Sequence, residues 1–422
     1  MGGPSEVRKS IFDPVHGIVD LDGVALELIA HPAFQRLWGI RQTGFAHLVF
    51  PGANHTRLEH SLGVFWVARQ MARALALGPD DLATVTSGAL LHDLGHGPFS
   101  HTLDPTMEEV LGYGHERISR ERILGRVPEG GHAEGGAARL PEILERHGLA
   151  PLRVAALVDP ARGRSAPLLL RSILHGPIDA DRIDYLQRDA HYTGVAHGAI
   201  DAVRLLATVR AYRSRLAFAE KGRSAVEGFL VGRALMYASV YYHKTVRAAE
   251  VMAQAAVERV PGFPEAARPL FPLVDGELLV RLREVGGRSE RLIRDVTERR
   301  LFKRAHGWRV LDASRRRAFD KLRRDPPARR AWEDAFAARL DAPPGSVLLD
   351  LAGLTVRDSG GLDWSDVGIF DGPHLSRPFR PDGPWSMFTD RPPAMWAVSI
   401  YVDPRRRARA EDLFRRGRGL PD

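Results

Sequence analysis

The stretch Leu90-Leu91-His92-Asp93-Leu94-Gly95-His96-Gly97-Pro98-Phe99-Ser100-His101 decides how this chain is read. A histidine and an aspartate stand side by side at the end of an apolar helical run. A Gly/Pro turn carrying two further histidines then closes the helix. Upstream, Leu82, Val85, Ala89 and Leu90 recur at helical spacing, which predicts a buried helix. His92 and Asp93 follow Ala89 by one helical turn and share its inward face. An imidazole beside a carboxylate on a buried face is costly unless something compensates it, and a divalent cation does that well.

The chain has 422 residues, enough for two domains or for one large helical domain with an appendage. Its 44% hydrophobic content allows a substantial core. No run of about 18 apolar residues occurs, so no transmembrane helix and no membrane partner are expected. The polar first ten residues lack the apolar segment of a secretory signal. Cysteine is absent, which excludes a disulfide framework and a thiolate metal site. That pattern fits a cytoplasmic protein, and any metal must take histidine and carboxylate ligands. The net charge of +8 points to an anionic partner: a nucleotide, a nucleic acid or an acidic protein.

Along the chain, residues 10–20 read as a short hairpin or an extended lead-in, with Asp13-Pro14 and His16-Gly17 as turn signals. Residues 26–40 have helical spacing broken at His31-Pro32. In residues 56–71, Val64, Val67, Ala68 and Met71 mark one helix face, and His60 lies one turn before Val64 on it. Further helices are expected at 114–124, 141–147, 168–174 and 178–190, with one long helical region at 224–260 stopped by Pro261-Gly262. Residues 126–138 are Gly-rich and read as a loop. After about Leu273 the chain becomes densely charged and holds the Arg315-Arg316-Arg317 run. Strands are expected at 346–351 and 396–402, and a basic amphipathic helix at 405–418. The predicted fold is therefore mostly α, with a helical core over 1–272 and a smaller, basic α+β region over 273–422.

Four residues from three separate helices, His60, His92, Asp93 and Asp181, assemble into one candidate metal site. Asp181 begins an i, i+4, i+8 series with Tyr185 and Asp189, and Arg182 sits beside it. Two imidazoles and two carboxylates suit Mn, Fe, Mg, Co, Ni or Zn and leave positions for water and a substrate oxygen.

The segments 34–37 (FQRL), 50–53 (FPGA), 55–64 (HTRLEHSLGV), 91–101 and 179–185 (DADRIDY), in this order and spacing, resemble the HD-domain phosphohydrolases. Within them they are most similar to the deoxynucleoside triphosphate triphosphohydrolase branch, over about residues 11–250. The resemblance implies an HD-domain helical core with His60, His92, Asp93 and Asp181 as metal ligands and His115 as the catalytic histidine. It places His96, His101 and Asp104 around a triphosphate, with Arg57, Arg182 and Lys244 as phosphate contacts and Tyr241 and Arg247 near them. It assigns Gln42 and Asp189 to the sugar 3′-hydroxyl and Tyr185 to the face of the sugar.

The implied reaction is metal-dependent water attack at the α-phosphorus of a dNTP, giving a deoxynucleoside and inorganic triphosphate. The leaving 5′-oxygen needs a proton, which a histidine with an ordinary pKa of about 6.5 can donate. His115 is expected in that role, oriented by Glu116 or Asp104. Homo-oligomers, dimers or tetramers, are expected from the same resemblance. Ala30 and Trp38 stand where nucleotide-activated members place an aspartate and an arginine that read a guanine nucleotide, and Phe12 stands where a polar residue would help. Activation by that route is therefore in doubt. Thr43 replaces a larger apolar neighbour of the sugar, which loosens exclusion of a 2′-hydroxyl. Two rivals stand beside this reading: hydrolysis of another nucleotide (a monophosphate, cyclic or signalling species), and a nucleic-acid-binding protein or nuclease acting through the basic C-terminal region. No aromatic interleaving supports base stacking in that region.

Overall fold

A computed structural model describes residues 8–127, 138–163, 166–354, 367–372, 374–378 and 397–416. Most of the loop expected at 126–138, and Trp396 of the last expected strand, lie outside the described residues. The architecture is mostly α with small sheets at its margins. A hairpin of β1 (Arg8–Asp13) and β2 (Gly17–Asp22) leads into it, in antiparallel register with Phe12 opposite Ile18.

Three helices carry the motif residues: α1 (Arg57–Ala74), α2 (Pro79–Leu91) and, after α3 (His115–Ile123), α4 (Ala180–Thr193). Each starts for a local reason. Before α1, the Glu59 carboxylate accepts from the Thr56 amide at 2.6 Å and its hydroxyl at 2.9 Å, pairing groups that a helix start otherwise leaves open. Helix α2 begins at Pro79 with Asp80 and Asp81 in its first turn, a fixed φ and negative charge that suit a helix N-terminus. Asp179 caps α4 by accepting from the Arg182 amide, and Gly194 closes it at φ 72°.

The faces expected from periodicity are the buried ones. Val64, Val67, Ala68 and Met71 of α1, Val85 and Ala89 of α2, and Ile183 and Leu186 of α4 share one apolar cluster. Burying each larger side chain is worth about 1.5–3 kcal/mol, so the three helices hold one another in register. That register brings His60, the end of α2 and the start of α4 to one point.

Two expectations are corrected. The helical region at 224–260 is interrupted: α5 (Arg223–Met236) runs into a π turn at Tyr237–Tyr241, and His243 caps a new helix, α6 (Lys244–Glu258), by accepting from the Thr245 amide. The wide turn puts the rings of Tyr237, Tyr241 and Tyr242 on the wall of a cavity, a place where such turns are often found. Strands also occur where none is expected. Val209–Tyr212 and Arg215–Ala219 form a hairpin that pairs in parallel with Gly368–Asp371. Lys303–Trp308, also unexpected, joins the two expected strands, Val347–Asp350 and Val398–Val402, in an antiparallel sheet.

The composition shift after Leu273 is not a gap in packing. Helices Asp275–Glu284 and Gly287–Thr297 bury Leu278, Leu282, Leu292 and Ile293 against Ala249, Met252 and Ala256 of α6, and Leu348 and Tyr401 join that cluster. In the basic run, Arg315 pairs with Asp312 at 3.1 Å and Arg316 with Asp320 at 3.2 Å, along the helix Ala313–Arg324. Among the described residues no helix is long and apolar enough to cross a membrane.

Candidate metal centre and its cavity

The four predicted ligands converge. His60 Nε2 lies 3.0 Å from Asp181 Oδ1 and 3.7 Å from Asp93 Oδ2, and His92 Nε2 lies 3.1 Å from Asp93 Oδ1 and 3.9 Å from Asp181 Oδ1. Ligand atoms of His60, His92 and Asp93 all fall within 4.8 Å of one another.

The two rings are fixed from behind: His60 Nδ1 meets Asp184 Oδ2 at 2.7 Å, and His92 Nδ1 meets the Ala89 carbonyl at 2.7 Å. Facing an acceptor, each Nδ1 carries a proton, so Nε2 is the atom that each ring turns toward the carboxylates. Both Nε2 atoms are buried and lack a well-aligned hydrogen-bond partner. Burial opposes charge on His60, but Asp181, Asp184 and Asp93 outweigh it and raise its pKa to about 10. Carboxylates gathered on one buried imidazole are a surplus of negative charge that a divalent cation satisfies, and the donor set fits it. The site is a divalent-metal site whose residues do not select one metal.

Burial alone would raise the pKa of Asp93. The Arg57 guanidinium, 2.6 Å from its Oδ2, and the neighbouring His92 and His96 hold it well below the usual carboxylate range. Arg57 also donates from Nε to Ser100 Oγ at 2.8 Å, and its buried Nη2 is left without a partner at the cavity wall.

Beyond the ligands opens a cavity of about 450 Å³, a size suited to a small ligand. One side is a second cluster, His96, His101, Asp104 and His115, whose nitrogen and oxygen atoms also lie within 4.8 Å of one another. His96 and His115 stack at 3.8 Å, and Asp104 Oδ2 accepts from His101 at 2.8 Å and from His115 at 3.2 Å. Burial, Arg57 and His115 keep His96 neutral, with its pKa well below the ordinary value. Burial also disfavours charge on His115, but Asp104 wins and raises its pKa. Of the two acids expected to orient His115, Asp104 makes the contact. Glu116 lines the cavity, and burial raises its pKa.

The backbone explains this arrangement. A Cβ on Gly95 would stand 1.9 Å from the His115 carbonyl, so only glycine lets α3 dock on the motif turn. Ser119 completes the dock, accepting from the Gly95 amide and donating to the His92 carbonyl, each at 2.7 Å.

At the other end, Gln42, Tyr185 and Asp189 line the cavity, together with Tyr241, expected near the phosphates. Asp189 accepts from His55 at 2.8 Å and from the Tyr241 hydroxyl at 2.5 Å, while Gln42 Oε1 and Thr43 Oγ1 are buried without partners. Arg182 lines the wall, tethered to Asp179 and the Gly176 carbonyl.

Lys244, expected as a phosphate contact, and Arg247, expected near the phosphates, are not free cations of the cavity. Lys244 is exposed and outside the cavity lining, because the chain breaks before it and restarts α6 with Lys244 as first residue. Arg247 lines the cavity but is taken up by acids, bidentate to Asp350 at 2.8 and 3.1 Å and bonded to Glu250. Ala30, Trp38 and Phe12 are all exposed.

Several participants carry no sequence assignment. His175 lies on the wall, and burial pushes its pKa down to about 4. Glu250 and Asp350 hold Arg247. Arg233 donates to the Tyr185 hydroxyl at 3.3 Å. Asp184 holds His60, and its spacing one turn after Asp181 on α4 was the available signal.

Residues 57–189 match the HD domain family, and residues 200–360 match the HD associated region. An uncharacterized protein of Methanocaldococcus jannaschii is 38% identical over 59% of this chain and 49% of its own length. Deoxynucleoside triphosphate triphosphohydrolase SAMHD1 of Gallus gallus is 29% identical over 61% of this chain and 46% of its own. The chain thus spans about half the length of these curated relatives. The crystal structure of a hypothetical protein from Aquifex aeolicus superposes with a TM-score of 0.70 at 25% identity, covering 97% of this chain and 100% of that one. The residues that match the HD domain form the helical core that gathers the His/Asp group, and those that match the HD associated region follow it, so over 57–189 and 200–360 the chain is similar to HD-domain proteins.

Proposed function

We propose that this protein hydrolyses deoxynucleoside triphosphates at the α-phosphorus, releasing a deoxynucleoside and inorganic triphosphate. The observation that carries the reading is one cavity with three chemistries along it. The His60, His92, Asp93 and Asp181 group lies beside the His96, His101, Asp104 and His115 cluster, and the polar and aromatic end at Gln42, Tyr185, Asp189 and Tyr241 completes the lining. Similarity to SAMHD1 of Gallus gallus, a deoxynucleoside triphosphate triphosphohydrolase, supports the substrate class.

A divalent cation bound at the ligand group supplies a Lewis acid and lowers the pKa of a water. The chain supplies the rest. The free Nη2 of Arg57 binds a phosphate oxygen and stabilises the charge that develops there. His115, kept protonated by Asp104, gives its proton to the departing 5′-oxygen. His96 and His101 flank the leaving triphosphate. Asp189 and Gln42 accept from the sugar hydroxyl, and Tyr185 packs on the ring.

The loss of Lys244 and Arg247 as free cations favours a second reading in which fewer phosphates are gripped and a nucleoside monophosphate or diester is the substrate. Incubating the metal-loaded protein with each dNTP, each NTP and a monophosphate set, then resolving products by chromatography, separates the two. Nucleoside plus triphosphate supports the proposal, whereas diphosphate, or turnover of monophosphates alone, rejects it. In the same assay His92→Ala and Asp93→Ala lose metal and activity together. His115→Ala keeps its metal and loses turnover by about 10²–10⁴-fold.

A further inference from the structure

We infer that the turn of the N-terminal hairpin is a working part of the metal centre, with His16 and Asp13 as positioning residues that hold the His60 ring through Asp184 and Arg188. This rests on reading His60, His92, Asp93 and Asp181 as a divalent-metal site. The hairpin lies outside the matched HD domain at 57–189, and 168 positions separate His16 from Asp184.

The Asp184 carboxylate is saturated. Oδ1 accepts from His16 Nε2 at 2.6 Å and from Arg188 Nη2 at 2.9 Å, and Oδ2 accepts from His60 Nδ1 at 2.7 Å and from Arg188 Nε at 2.9 Å. A carboxylate with every lone pair engaged cannot turn, so neither can the His60 ring it grips. Asp13 extends the chain of contacts. Its Oδ2 accepts from Arg188 Nη1 at 2.8 Å, while its Oδ1 takes the amides of Val15 and His16 at 2.9 and 2.8 Å and so builds the turn that carries His16.

The surroundings are shaped for this contact. Asp184 and Arg188 are fully buried, and the His16 side chain is 3% exposed. The His16 ring stacks on Trp66 of α1 at 4.6 Å with 15° between the planes. A Cβ on Gly63 would come 1.8 Å from Asp184 Oδ1, so α1 carries glycine where the carboxylate must pass.

A hydrogen bond behind a ligating histidine fixes its tautomer and direction, and its loss typically lowers metal affinity about 10–100-fold. Removing His16 takes one of two donors from Asp184 Oδ1 and leaves that oxygen to Arg188 alone. Because linkage is reciprocal, a cation that needs His60 held in place must in turn stabilise the hairpin that holds it.

The test uses the full chain stripped of metal by a chelator, with Mn2+ as the probe. Calorimetry compares wild type, His16→Ala and His16→Gln, whose amide keeps a donor for Asp184. Circular dichroism in chelator reports folding, and hydrogen exchange over residues 8–22 is followed with and without Mn2+. The expected result is about ten-fold weaker Mn2+ binding by His16→Ala, recovery in His16→Gln, and slower exchange in the hairpin when Mn2+ binds. Equal affinity in all three proteins, or no recovery in His16→Gln, overturns the inference while leaving the metal site standing. A wild-type chain that binds no Mn2+ overturns the metal reading and the inference with it. If His16→Ala does not fold, the exchange measurement on wild type decides: protection of residues 8–22 by Mn2+ supports the inference and its absence overturns it.

Discussion

At His115 one hydrogen bond decides which proton is available. Its Nδ1 sits 3.2 Å from Asp104 Oδ2, and although burial works against a charged ring, Asp104 lifts its pKa above the ordinary 6.5. A group with a raised pKa keeps its proton through neutral pH and loses it as pH rises through the raised value. Turnover that needs this proton therefore falls on a basic limb lying above that of an ordinary histidine. Asp104→Asn removes the lift, so the limb moves to lower pH and kcat at pH 8 drops by about 10²-fold. A pH–rate profile checks this, and a limb that stays in place removes Asp104 from the role. Gly95→Ala is a steric counterpart: its methyl would meet the His115 carbonyl at 1.9 Å and the Ser119 amide at 2.6 Å. Overpacking of that kind costs about 1–3 kcal/mol, readable as a lower thermal midpoint, and it displaces His115 while leaving the metal ligands on α1, α2 and α4. The candidate ligands could be picked out because helical neighbours mark the faces on which they stand. The fate of the cations could not. Arg57 and Arg247 look alike in sequence, and the acid that occupies Arg247, Asp350, lies 103 positions away.

Among the elements, the turn after α2 carries backbone strain beside the cavity. Phe99 and Ser100 are both left-handed, at φ 56° and 54°, a conformation worth about 1–3 kcal/mol of strain at each non-glycine residue. Three contacts hold it there. Asp275 Oδ1 accepts from the Phe99 amide at 2.7 Å, Ser100 Oγ donates to the Arg41 carbonyl at 2.7 Å, and Arg57 Nε donates to Ser100 Oγ at 2.8 Å. His96 and His101 flank this strained pair. Asp275→Ala leaves the Phe99 amide buried and unpaired, costing about 1–3 kcal/mol, and lets the backbone relax. The expected outcome is a lower kcat with Mn2+ affinity unchanged, since His92 and Asp93 precede the strained residues. Parallel loss of metal binding would contradict the assignment. The amphipathic helices could be read from periodicity, and so could the glycines and proline that end α2. Periodicity could not show the clamp on the turn, which comes from Asp275, 176 positions further on. Nor could it show the π turn at Tyr237–Tyr241, because helical spacing runs through both sides of it.

The whole molecule does not divide where its composition does. The charged stretch after Leu273 suggests an appendage, yet its apolar residues complete the core beneath the cavity. Leu278, Leu282, Leu292, Ile293, Val296, Leu301 and Phe302 are all buried in the cluster that covers α6. Arg36 ties the same region to the motif turn, donating to the carbonyls of His96 at 2.9 Å, Pro272 at 2.6 Å and Leu273 at 2.8 Å. Asp350 reaches the cavity wall through Arg247, and Tyr242 donates to the Ala352 carbonyl at 3.2 Å. Such cooperation is invisible to a reading that weighs local charge, because burial is decided by partners distant in sequence. It has a direct consequence for a chain ending at residue 272. Each large apolar side chain left without its partner forfeits about 1.5–3 kcal/mol, and several at once exceed the roughly 5–15 kcal/mol by which a domain is stable. The shortened chain is therefore expected to show no cooperative thermal transition and to aggregate, although it keeps all four proposed ligands. If it instead melts cooperatively and binds Mn2+ as the full chain does, the C-terminal half is a separable appendage and its contacts with the cavity are incidental.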